Sequence, residues 1–61
     1  MQLPSDPMML YSVLNTRLRD TYPNLEALCE DCGADPSQLM EKMRAAGFVY
    51  DVSQNQFIDS P

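Results

Sequence analysis

The chain predicts a mostly α fold, a three-helix domain with a helix-turn-helix and a C-terminal β-hairpin. Three observations lead there. Residues 25–48 carry two short apolar stripes at helical spacing, separated by a glycine turn. A longer amphipathic stripe precedes them, between Asp6 and Thr21. After Gly47 the apolar period shortens to that of a strand. The 61 residues are read as one domain, 1–61, with helices at 6–21, 24–33 and 35–46 and a hairpin at 48–58.

The first helix opens on Asp6 as N-cap and Pro7 at the first helical position. Leu10, Tyr11, Val13, Leu14 and Leu18 form a broad apolar arc with Met9 at its edge. Ser12, Asn15, Thr16 and Arg19 are expected on the opposite side, where Asn15 and Arg19 lie one turn apart and share a surface patch. Leu3 and Pro4 are expected to form an ordered lead-in, and Tyr22-Pro23 closes the segment.

Asn24 caps the second helix, and Leu25, Leu28, Cys29 and Cys32 make its apolar stripe. Gly33 supplies the left-handed residue that a tight turn requires. Asp35-Pro36-Ser37-Gln38 starts the third helix, with Gln38 placed to close a capping box. Leu39, Met40, Met43 and Ala46 are expected to face inward, and Gly47 ends the helix. Two helices joined by so short a turn cross steeply, which is the helix-turn-helix geometry. Cys29 stands where the first helix of that motif needs a small residue. One later core position falls on Lys42 with Met43 beside it, so a slightly rotated third helix is expected.

In the hairpin, Phe48, Tyr50 and Phe57 share one face, with Val49, Asp51 and Gln56 on the other. Val52-Ser53-Gln54-Asn55 is the turn, since Asp51 and Asn55 form side-chain turns and Asn tolerates positive φ. A two-stranded ribbon is marginal alone, so its aromatic face must pack on the helices. Three helices followed by a hairpin resemble a minimal winged helix. Asp59-Ser60-Pro61 reads as a frayed tail.

Several stretches together resemble a small bacterial family of unknown function. They are Met1-Gln2-Leu3-Pro4, Asp6-Pro7-Met8-Met9-Leu10, Asn15-Thr16-Arg17-Leu18-Arg19-Asp20, Leu25-Glu26-Ala27-Leu28-Cys29, Tyr50-Asp51 and Asn55-Gln56-Phe57. The resemblance covers nearly the full chain. It implies a stand-alone domain of this size and brings no established activity or catalytic residue with it.

Composition bounds the function. A chain this short buries only about 60% of its unfolded surface, which leaves little room to enclose a substrate. Its 44% hydrophobic content is too high for disorder. No apolar run is long enough to span a membrane. The opening lacks the basic start and apolar core of a signal peptide, so the cytoplasm is the expected location. There is no histidine for proton transfer near neutral pH, and Gly33 and Gly47 form no phosphate-binding loop. Glu26 and Glu30 read as a solvated helix face. No enzymatic activity, cofactor or metal is expected.

Cys29-Glu30-Asp31-Cys32 invites a redox or zinc reading. A reactive cysteine, however, favours a helix N-terminus, and Cys29 lies late in its helix beside two acids. A structural zinc site needs about four ligands, which only two chains together would supply. The expected role is packing.

Two functional classes remain, with no catalytic residue in either. The first is a small protein-interaction domain, self-association included. The second is a nucleic-acid-associated regulator acting as a dimer. The formal charge of −5 at pH 7 opposes the second, because phosphate contacts dominate nucleic-acid affinity. The whole surplus lies after residue 24, where Glu26, Glu30, Asp31, Asp35, Glu41, Asp51 and Asp59 face only Lys42 and Arg44. The candidate partner surface is Asn15, Arg19, Gln38, Glu41, Lys42 and Arg44. Five methionines add a further expectation. Met8 and Met9 are adjacent, so at least one nears the surface of the first helix. Both are expected to pack on the lead-in or the hairpin, the alternative being an adaptable interface.

Overall fold

A computed structural model describes residues 3–60. The expectations attached to Met1, Gln2 and Pro61 lie outside those residues. Three helices are followed by an antiparallel hairpin: α1 (Pro7–Asp20), α2 (Leu25–Cys32), α3 (Pro36–Ala45), β1 (Phe48–Asp51) and β2 (Gln56–Asp59).

The helix ends form where the local chemistry places them. Asp6 accepts from the Met8 N–H, Asn24 from the Ala27 N–H at 2.8 Å and Asp35 from the Ser37 N–H at 2.9 Å, so each helix has a side-chain N-cap. Gln38 does not complete a capping box; no hydrogen bond runs from its side chain to the Asp35 N–H among the described residues. Gly33 adopts φ +72° at the end of α2, and the Ala34 N–H returns to the Cys29 carbonyl at 2.8 Å. Gly47, at φ +95°, turns the chain from α3 into β1.

The core is one cluster: Leu10, Leu14 and Leu18 of α1, Leu25, Leu28 and Cys29 of α2, Leu39 and Met43 of α3, and Phe48 and Phe57 of the hairpin. Leu3 packs against it as an ordered lead-in. Tyr11 stacks on Phe48 with ring centroids 4.3 Å apart, and Tyr50 tilts against Phe57 at 5.5 Å. The aromatic face of the hairpin is therefore the face that covers the helices.

Two of the inward assignments in the third helix fail, each for its own reason. Met43 is fully buried and Lys42 is exposed, whereas Met40 is 42% exposed. With Leu39 and Met43 central to the contact, Met40 moves to its border. Ala46 is also exposed, because α3 ends at Ala45 and Ala46 is its C-cap. Cys32, the last residue of α2, is only half-buried. The tail assignment is corrected too. Asp59 belongs to β2, and the Ser60 N–H donates to the Gly47 carbonyl at 2.8 Å, extending the ladder beyond residue 58.

Candidate functional site

The six residues proposed as a partner surface differ in what they bond within the chain. Asn15 leaves the group altogether. Its Nδ2 donates to the Phe57 carbonyl at 3.0 Å, and its Oδ1 accepts from the Phe57 N–H at 2.7 Å. The side chain thus serves β2 as a neighbouring strand would, satisfying both main-chain groups of one residue. Arg19 is exposed and binds its neighbour Asp20 through two bonds, Nε to Oδ1 at 2.8 Å and Nη2 to Oδ2 at 3.0 Å. That bond holds the Asp20 carboxyl below its usual range and raises the Arg19 guanidinium.

A second asparagine completes the attachment of the hairpin. Asn55 takes φ +53° in the turn, as its residue type allows, and its side chain reaches the end of α1. Nδ2 donates to the Leu18 carbonyl at 3.1 Å and to the Tyr22 carbonyl at 3.0 Å, while Oδ1 accepts from the Tyr50 hydroxyl. The Leu18 carbonyl is one of the last in α1, where the helix offers no backbone donor. Asn15 and Asn55 together bind α1 to β2 and to the turn. The sequence showed half of this, since Asn55 was marked by its tolerance of positive φ. The only local sign at Asn15 is a weak helix former set among leucines.

Gln38, Glu41 and Lys42 lie on the outer face of α3 and, with Ser37 and Ala45, line a shallow depression. Arg44 is drawn to Glu41, Nη2 to Oε1 at 2.7 Å. The pair is exposed, so it adds little stability, but it partly neutralises one of the two cations on the helix.

Met8 and Met9 contradict the packing expected of them. They are 63% and 57% exposed at the start of α1. Met9 borders a shallow depression with Leu3, Pro4, Ser5 and Val13, and this lead-in leaves most of it uncovered. An exposed apolar surface therefore sits on the first turn of α1, with no Lys or Arg lining it among the described residues.

Burial pushes the Cys29 thiol above its usual range, reinforced by Cys32 and Asp35. Both cysteines are unpaired. Tyr22 donates a hydrogen bond to Asp31, which raises the phenol and ties the loop after α1 to α2. Among the described residues no group of three or more His, Cys, Asp or Glu is placed to hold a metal ion, and no helix is long and apolar enough to cross a membrane.

These elements define a three-helix domain with a C-terminal hairpin. The chain belongs to the family described as Domain of unknown function (DUF4250), whose model matches residues 4–57. That span covers all three helices and the hairpin as far as Phe57, the residue held by Asn15. Comparison with curated proteins gave no match, and comparison with solved structures gave none.

Proposed function

We propose that this chain is a small non-enzymatic protein-interaction domain. The observation that carries the reading is the exposure of Met8 and Met9 on the first turn of α1, with Met9 beside the Leu3–Pro4 lead-in. Exposed large apolar side chains grouped on one surface mark association sites more than chance exposure does. Methionine's flexible thioether adapts to the shape of a partner. The acid surplus keeps the domain soluble and steers it toward partners with a basic rim.

The double variant Met8→Glu/Met9→Glu tests this. Both positions are exposed and lie in the first helical turn, where carboxylates are favoured by the helix dipole. The fold should therefore survive. Wild-type and variant baits are compared in native extract by quantitative mass spectrometry. Proteins retained by the wild type and lost from the variant support the reading; identical profiles oppose it.

A regulator that binds nucleic acid as a dimer is the second reading. It is favoured by the short turn between α2 and α3, the following hairpin, and the outward Gln38, Lys42 and Arg44. It is opposed by the Glu41–Arg44 pair, by Asp35 at the leading end of α3, and by a hairpin without Lys or Arg. Amide NMR titration with generic duplex DNA at low salt separates the two readings. Shifts on residues 36–45 and the hairpin that fade with added salt would favour the nucleic-acid reading.

A further inference from the structure

The two edges of the hairpin are treated differently. Phe57 directs its N–H and carbonyl away from β1, to Asn15, so Tyr50 and Phe57 form a non-hydrogen-bonded pair of the ladder. The alternation then directs the N–H and carbonyl groups of Phe48 and Tyr50 away from β2 as well. These outward groups have no hydrogen-bond partner among the described residues. The β2 edge is thus bonded to α1, while β1, which packs beside α3, leaves its outward main-chain groups without partners among the described residues. Open edges are commonly blunted by a lysine, a proline or a bulge. β1 reads Phe-Val-Tyr-Asp; it is short and carries one charge at its far end, but it has no lysine, proline or bulge.

We propose that β1 is the surface through which two copies of this chain pair, antiparallel and about a two-fold axis at Val49. The strand is self-complementary in that register. Phe48 of each copy exchanges main-chain bonds with Tyr50 of the other, so the outward groups meet in hydrogen-bonded pairs. Val49 faces Val49 of the second copy on the outer face. Within one chain Val49 already pairs with Ile58 there, and both are half-buried. Pairing produces a continuous row of Ile, Val, Val and Ile across a four-stranded sheet. Asp51 falls level with Gly47 of the second copy, so no acid opposes an acid. The same alignment sets Phe48 beside Tyr50 of the other chain on the inner face, an aromatic cross-strand pair.

The interface is a short strand edge, below the area of a permanent dimer, and each copy carries a charge of −5. Association is therefore concentration-dependent and strengthened by salt, which screens the mutual repulsion. Sedimentation equilibrium and amide exchange of the full chain, from dilute to millimolar protein, test it. The expected result is a shift from monomer to dimer, greater at high salt. Exchange at the Phe48 and Tyr50 amides should slow with concentration, while exposed amides elsewhere stay constant. Val49→Lys sets like charges together at the two-fold axis on the half-buried outer face of the strand; it should return the protein to monomer, with the hairpin dispersion retained as a check on folding. A chain that stays monomeric at every concentration, or a dimer unaffected by Val49→Lys and unprotected at Phe48 and Tyr50, overturns the proposal. Neither outcome bears on Met8 and Met9, whose variant is read separately.

Discussion

At the scale of single residues, two asparagines do the work that a third strand or a further helix turn would do. Asn15 satisfies both main-chain groups of Phe57, and the contact is partly buried. Asn15→Ala leaves an N–H and a carbonyl short of partners, so a loss of about 1–3 kcal/mol is expected, measured by chemical denaturation. Asn15→Asp separates the two bonds: its carboxylate still accepts from the Phe57 N–H but confronts the Phe57 carbonyl with a second acceptor. It should fall near Ala rather than near wild type. The methionines make a second contrast on one helix. Met43→Ala should cost about 2–5 kcal/mol, as a fully buried side chain is removed. Met40→Ala, at an exposed position, should remain within about 0.5 kcal/mol.

At the scale of elements, the helix ends and the turn were legible in the sequence because their chemistry is local. Asn24 caps the residue three positions on, and Gly33 and Asn55 take the positive φ their types permit. The function of Asn15 was not legible, because its partner lies 42 positions away and helical spacing put it on the solvent side. Met40 was misplaced for a related reason. It follows Leu39 and precedes Met43 at spacings that suit either border of a buried stripe, and only the docking angle of α3 decides between them.

The hairpin turn carries a pH prediction. The Asp51 carboxylate accepts from the Ser53 hydroxyl at 2.7 Å and from its N–H at 3.0 Å, which holds it below the usual aspartate range. A carboxyl depressed on folding stabilises the folded turn above its unfolded pKa and loses that contribution as pH falls through its folded pKa. The amide shifts of residues 52–55 should therefore titrate with a midpoint below that of a free aspartate. Asp51→Asn should abolish that transition.

At the scale of the molecule, the fold class was readable from patterning alone, and the family assignment over residues 4–57 agrees with the resemblance carried by stretches throughout the chain. The candidate surface was only partly readable. Gln38, Glu41 and Lys42 share the outer face of α3 as their spacing implied, whereas Asn15 and Arg19 are taken by other contacts. Met8 and Met9 are expected to be covered, although their adjacency requires at least one near the surface; both are exposed, and the lead-in covers Met9 only in part. That uncovered surface is the basis of the protein-interaction reading. The measurement that tests it most directly is site-specific photo-crosslinking in living cells. One probe replaces Met9, and a control probe replaces Thr16, an exposed residue of the same helix. A discrete protein adduct formed from position 9 and absent from position 16 is the expected result. The same adducts at both positions, or none at position 9, would contradict it.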